Sequence, residues 1–311
     1  MKLLRKTVRG QERKQMQEIE TDKPELYYSR MDSSQDDKSK ILQFVKEGDT
    51  ILDVGAGSGV ITNLLLSKKG TKVCSVDTCD SAIEHLRSLE ESNPGRVSVK
   101  KADFLEMDDG EKFDVVVFSA ILHEIFSYTE YNGEKFNFAI IDHALKKAAS
   151  LLAPGGRIIV RDGIMSTSNR RVMLQYIDPE MKELADRYIE EFRGFDLKVV
   201  RTEYGDVMPN RSAAELMFTI TWGRESFPRE VQEWFGYYSA KDWKRQEQRL
   251  MATHCVSMIH FEEYLQSGYE EHLKDRVKLL SAPKFNRAGD VVFKPTTFPN
   301  TNCLVVFHKL Q

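Results

Sequence analysis

One stretch, Thr50-Ile-Leu-Asp-Val-Gly-Ala-Gly-Ser-Gly59, limits the folds open to this chain. Ile51, Leu52 and Val54 form a short apolar run that predicts a buried strand. Three alternating glycines, Gly55, Gly57 and Gly59, end the run, with Ala56 between the first two. Val60-Ile-Thr-Asn-Leu-Leu-Leu66 follows, apolar at helical spacing. Strand, glycine turn and helix in this order open a βαβ unit. Glycine reaches positive φ without a steric penalty and leaves room for a ligand against the backbone. The helix start behind it offers N–H groups and a partial positive charge.

The spacing decides what such a turn holds. A dinucleotide fingerprint needs G-x-G-x-x-G. Here the pattern is G-x-G-x-G, and Val60 stands where the last glycine belongs. That argues against a nicotinamide dehydrogenase. The next predicted strand, Lys72-Val-Cys-Ser-Val-Asp77, ends in an acid 18 residues after Gly59. A carboxylate at that strand tip accepts hydrogen bonds from ribose hydroxyls. Asp77 also fits as a helix cap, a role for which Thr78, Asp80 and Ser81 compete.

Asp53-x-Gly-x-Gly-x-Gly59 resembles motif I of the class I S-adenosylmethionine (SAM)-dependent methyltransferases. Leu-Ala-Pro-Gly-Gly156 before the apolar strand Arg157–Asp162 is a second signature of that family. The resemblance covers residues 41–164 and 256–311. It implies a seven-stranded Rossmann-like α/β sheet, mostly parallel with the last strand antiparallel, and helices on both faces. The last strand would lie between the fifth and sixth. Phe261–Tyr269 would be the helix before the closing strands Arg276–Ser281 and Cys303–His308. Residues 165–255 read as a mainly helical inserted cap, with charged helical stretches near 179–192 and 228–250. Residues 1–40 read as a basic N-terminal segment that closes over the cofactor.

The same resemblance implies SAM as cofactor, S-adenosylhomocysteine (SAH) as product, and no metal. It assigns Asp53, Gly55, Ala56, Gly57, Gly59, Asp77 and Thr78 to the cofactor. Asp103 and Phe104, at the end of the third strand, would hold the adenine. Ser119 and Ala120, at the end of the apolar fourth strand Phe113–Ala120, complete that set. His123 and Glu124 follow, where an open α/β sheet places its chemistry. Two readings of His123 stand: a base that takes a proton from a hydroxyl or amine, and a residue that packs the helix start. Tyr28, Arg30, Ser34, Tyr128, Asp162, Trp222 and Arg224 are candidate substrate contacts.

Several acceptors are argued against. Base-amine enzymes of this class carry Asn/Asp-Pro-Pro-aromatic after strand four, where this chain has Ser119-Ala-Ile-Leu122. None of the four cysteines stands in the Pro-Cys setting of a cytosine-C5 enzyme. A small-molecule O- or N-methyltransferase is the leading expectation. An RNA-directed enzyme is the alternative. It would use the basic N-terminus and an insertion that contains Trp222, Trp234, Trp243, Tyr237 and Tyr238. A SAM- or SAH-binding module without turnover is the third reading. The net charge of −3 over 311 residues gives no global pull toward nucleic acid. No stretch approaches 18 apolar residues, and the first ten residues have no apolar core, so a cytoplasmic protein is expected.

Overall fold

The computed structural model describes residues 35–107 and 110–310. The expected N-terminal segment, with Tyr28, Arg30 and Ser34, lies outside the described residues. The chain divides into two compact units. The first holds residues up to Asp162, then Asp242–Glu262 and Cys303–Gln311. The second holds Gly163–Lys241 and Glu263–Asn302.

The first unit opens with a short helix α1 (Gln35–Ser39) and a 3-10 turn (Lys40–Phe44). Alternation of strand and helix follows: β1 (Thr50–Val54), α2 (Val60–Leu66), β2 (Lys72–Asp77), α3 (Asp80–Ser92) and β3 (Val97–Lys101). Next come β4 (Phe113–Ser119), α4 (Leu122–Tyr128), α5 (Ala139–Leu151) and β5 (Leu152–Gly163). The second unit then contributes β6 (Arg171–Tyr176), α6 (Pro179–Glu191), β7 (Val200–Thr202) and β8 (Gly205–Pro209). Helices α7 (Asn210–Ile220) and α8 (Gly223–Glu230) follow. The chain returns to the first unit through α9 (Ala240–His254) and β9 (Val256–Tyr264). It leaves again for α10 (Tyr269–Leu273), β10 (Val277–Ser281) and a small hairpin of β11 (Lys284–Phe285) and β12 (Val291–Val292). Strand β13 (Asn302–Lys309) closes the sequence of elements.

The main sheet has the order β3-β2-β1-β4-β5-β13-β9, and β13 runs antiparallel to the others. The order reverses between β1 and β4, the place where an open α/β sheet forms its ligand crevice. β1 pairs in parallel with both β2 and β4, so the carboxyl ends of these strands lie together. The middle of β4 is apolar on both faces because helices cover both sides of the sheet. Val115, Val116, Val117 and Phe118 are all fully buried.

Ionic contacts tie the start of this unit to the sheet. Arg157 on β5 donates from Nη2 to both carboxylate oxygens of Asp49, at 3.0 and 2.8 Å. Its Nη1 donates to the Phe44 carbonyl at 2.7 Å. Both side chains are buried. Such a pair adds little net stability when intact, but a lone survivor of it is costly.

The second unit is built on a four-stranded sheet, β10-β6-β8-β7, flanked by helices. β6 pairs antiparallel with β10 on one side and β8 on the other. Two expectations fail here. Val277–Ser281 is not a closing strand of the main sheet; it pairs with β6. Phe261–Tyr269 is not a helix; its first four residues belong to β9, which is the sixth strand. Phe-Glu-Glu-Tyr reads as one helical turn, but sheet pairing overrides that local pattern. Residues 263–302 therefore fall in the second unit, not the core.

The charged stretch near 228–250 also splits. Trp234–Ser239 is irregular and buried, and Glu215 on α7 anchors it by accepting from the backbone N–H groups of Phe235 and Gly236 at 2.5 and 2.9 Å. Trp234, Tyr237 and Tyr238 are buried within the second unit, and Trp243 packs near Phe307 in the first.

Asp49→Ala strands Arg157 as a buried unpaired cation. It is expected to cost about 3–5 kcal/mol, read by chemical denaturation. A loss under about 1 kcal/mol, the value of an exposed pair, would show that Arg157 is solvated.

Candidate active site

The glycine turn is held onto β2 from below. Gly55 and Ala56 N–H both donate to the Val76 carbonyl, at 2.8 and 3.1 Å. Gly57 N–H donates to Asp77 Oδ2 at 2.9 Å, and Cys79 N–H donates to Asp77 Oδ1 at 2.9 Å. One carboxylate thus fixes the turn after β1 and the turn after β2. Each of its oxygens keeps a second lone pair for another donor.

All three motif glycines have positive φ: 65°, 53° and 83°. Their surroundings separate their roles. A Cβ on Gly55 would lie 2.4 Å from the Ile121 side chain, and one on Gly59 would lie 2.2 Å from Leu89 Cδ1. A Cβ on Gly57 would meet nothing within 4 Å. Gly55 and Gly59 therefore serve packing. Gly57 borders open space beside Asp77. That cradle suits the ribose end of an adenosine ligand.

Asp53 sits beneath the turn and is buried. Its Oδ2 accepts from Thr62 Oγ1 at 2.7 Å, and Thr62 in turn contacts Ser75 Oγ at 2.8 Å. Burial pushes the Asp53 carboxyl up from 3.8 to about 7; the Thr62 hydroxyl opposes this and the charge on Asp77 adds to it. Asp103 caps the turn Phe104–Glu106, its side chain accepting from Leu105 N–H at 3.1 Å. The Phe104 ring is buried edge-on against Phe118, which leaves the backbone as its contact surface.

At the end of β4 the chain kinks. Ala120 has φ 56°, a left-handed value strained for a residue with a Cβ. Its N–H donates to the Arg161 carbonyl at 2.7 Å. Helix α4 starts two residues later, with no cap from Ile121. Asp162 supplies that cap from β5: its Oδ2 accepts from His123 N–H at 3.0 Å. Its Oδ1 lies 2.6 Å from His123 Nδ1. A carboxylate at Nδ1 fixes the proton there and leaves the basic lone pair on Nε2. Ser127 Oγ donates to the His123 carbonyl at 2.7 Å. His123 and Asp162 both stand out in the sequence; their pairing does not, since 39 residues separate them.

Glu124 lies in the first turn of α4 and Tyr128 at its end. Ser119 is half-buried in register with Arg161. Thr78 is half-buried after β2. Trp222 and Arg224 belong to the second unit, where Arg224 pairs with Glu183 at 2.6 Å on an exposed face. That unit also contains a cavity of about 360 Å³, lined by Ser166, Thr167, Arg170, Asn210, Glu263 and Thr297 among others. No group of three or more His, Cys, Asp or Glu suited to a metal occurs among the described residues.

A glycine turn on β1, an acid closing it from β2, and a reversal of strand order beside both define an adenosine-binding α/β fold of the class I methyltransferase type. A family model described as a methyltransferase domain matches residues 45–201, just over half of the chain. The chain belongs to this family, the SAM-dependent methyltransferases of class I. Among curated proteins, it is 37% identical over 81 residues to ribosomal protein L11 methyltransferase of Dictyoglomus turgidum, covering 26% of this chain and 27% of that protein. It is 30% identical over 145 residues to the same-named protein of Campylobacter concisus, covering 46% and 45%. The chain thus spans less than half the length of these relatives. Among solved structures, it is similar to the N-methyltransferase NodS of Bradyrhizobium japonicum with SAH, at 12% identity, TM-score 0.46 and 90% coverage of each chain. It is also similar to the 1,6-didemethyltoxoflavin-N1-methyltransferase of Burkholderia thailandensis, at 12% identity and TM-score 0.48, covering 94% of this chain and 84% of that one.

Two outcomes follow from this geometry. Gly59→Ala combines backbone strain with a clash and is expected to cost about 2–4 kcal/mol of stability. Gly57→Ala is expected to cost only about 1 kcal/mol, from φ alone, but to weaken adenosine-ligand binding at least as much as Gly59→Ala does. Parallel denaturation and calorimetric titration separate the two; equal stability losses would refute the assignment.

Between 3.8 and about 7 the folded chain keeps a proton on Asp53 that the unfolded chain has released. This stabilising contribution is complete below 3.8 and is lost as pH rises to about 7. Asp53→Asn removes up to about 4 kcal/mol of that fall. Unfolding curves at pH 5 and pH 8 should diverge less for the variant than for the wild type. The same divergence in both proteins would place the titration elsewhere.

Proposed function

We propose that this chain transfers the methyl group of SAM to an oxygen or nitrogen of a small-molecule acceptor. The bound cofactor supplies an electrophilic methyl on a sulfonium. The chain's own work is to hold and orient. The turn Gly55–Gly59 with Asp77 binds the nucleoside end, and Asp53 and Thr78 support it. Ser119 and Ala120 border the crevice from β4, and the backbone at Asp103 and Phe104 meets the adenine.

His123 is the residue that carries a proton. Asp162 keeps Nδ1 protonated and points Nε2 away as the acceptor of a hydroxyl or ammonium proton. The observation that carries this reading is the His123–Asp162 pair, 2.6 Å long and buried, at the carboxyl ends of β4 and β5. Direct methyl displacement needs the two reacting atoms aligned near contact, which is a positioning effect. The base matters where the acceptor must lose a proton.

The second unit offers RNA little: Arg170 and Glu263 are the only charged residues lining its cavity, which therefore carries no net positive charge. The buried Trp234, Tyr237 and Tyr238 are core residues of that unit and offer no stacking platform. The relatives are named for a protein acceptor, and a protein acceptor is the second reading to test. A module that binds without turnover is the third.

Titration with SAM, SAH and NADH comes first, with binding of the first two and none of NADH expected. Labelled-methyl transfer is then screened over small molecules, RNA and ribosomal protein. With the acceptor found, His123→Ala is expected to lower kcat by about 10²–10⁴ while SAM affinity changes less than about twofold. Asp162→Asn should lower kcat with it, since it reverses the tautomer preference. Unchanged turnover in both variants would make the pair purely structural.

A further inference from the structure

β5 carries two arginines on one face, Arg157 and Arg161, because residues an even number apart in a strand share a side. Both are buried, at 7% and 3% exposure. Their surroundings differ. Arg157 is engaged by Asp49 and the Phe44 carbonyl. Arg161 Nε has no hydrogen-bond partner, and among the described residues no side chain or carbonyl pairs with its guanidinium. The nearest acid in sequence, Asp162, points to the opposite face, where both its oxygens face His123.

A buried cation without an anion is far more costly than a paired one. Lysine or histidine escapes that cost by losing its proton. Arginine does not, since it stays charged up to about pH 12 and beyond. Its planar fork also matches a carboxylate or phosphate with two parallel N–H···O bonds. The position is equally specific. Arg161 lies opposite Ser119 in the β4–β5 register, and its carbonyl accepts the Ala120 N–H at the kink that opens α4. It is one residue before Asp162. It therefore stands at the carboxyl edge of the strand pair that presents His123.

We infer that Arg161 is the anchor for an anionic group on the acceptor, so that the molecule methylated carries a carboxylate or a phosphate. This rests on the methyltransferase reading and narrows its acceptor class. The acceptor, not the cofactor, is the source of the anion. The nucleoside cradle belongs to β1 and β2, and β5 is two strand spacings, about 10 Å, from β1.

The test uses the full chain and simple oxyanions as probes. Melting temperature is measured in sodium acetate, benzoate, succinate and phosphate against sodium chloride at equal ionic strength. The wild type, Arg161→Met and Arg161→Lys are compared. At least one oxyanion is expected to raise the wild-type midpoint, and carboxylates against phosphate tell which anion the site takes. Arg161→Met should lose that response, its half-maximal concentration rising about tenfold or more, and should melt no lower than the wild type without ligand. Arg161→Lys keeps the charge without the fork and should keep a weaker response. Should the Met variant fail to fold, an unchanged half-maximal concentration in Arg161→Lys overturns the assignment. So does a wild type that no oxyanion protects. A tenfold loss of SAM affinity in either variant also overturns it, by making the anion the cofactor's own carboxylate. SAM titration of the wild type tests the parent reading separately: its failure removes the methyltransferase, not the oxyanion site.

Discussion

The site depends on one carboxylate shared between two N–H groups of a single residue. Asp162 accepts from the backbone of His123 and from its imidazole. The first bond satisfies the start of α4, which has no cap of its own sequence. The second fixes the ring. Because both bonds go to one side chain on β5, the orientation of the imidazole is tied to the β4–β5 register and not to a loop. The kink at Ala120 is the geometric cost of this arrangement: β4 must turn sharply to bring a helix start over its neighbour's tip.

Charged side chains packed around the sheet divide by how each handles its charge. Asp49 and Arg157 neutralise one another within the scaffold. Asp77 spends its charge on backbone N–H groups of two turns. Asp53 is pushed toward its neutral form by burial. Arg161 has none of these outlets among the described residues. The same strand thus contains a guanidinium that builds and one that waits, and the difference is that Asp49 reaches Arg157 while no carboxylate among the described residues pairs with Arg161.

Much of this was legible in the sequence where the signal is local. Lys72–Asp77 is a strand over its whole predicted length. The glycine turn and the strands Phe113–Ser119 and Arg157–Asp162 followed from apolar runs and turn chemistry, and the sheet that joins them from the family resemblance. Non-local pairing was not legible. Val277-Lys-Leu-Leu-Ser281 alternates well enough for either sheet, and nothing within it names β6 as its partner. The Trp234–Tyr238 run looked like helix or stacking surface because Glu215, which anchors its backbone, is about twenty residues away. At the site, residue types were readable one by one. Their relations were not: the His123–Asp162 bond and the missing partner of Arg161 both need coordinates.

The strand order has a consequence for how the protein is made. β13 fills the place between β5 and β9, yet it is the last of the seven strands to be synthesised. The chain crosses between the two units four times before reaching it. On the ribosome, the five strands from β3 to β5 can assemble while the outer edge of β5 stays open. That edge is apolar and unprotected, the kind of surface that recruits foreign strands. All residues of the second unit emerge before β13 does. The core that starts first is therefore finished last, and its vulnerable interval lasts as long as the synthesis of the unit inserted into it.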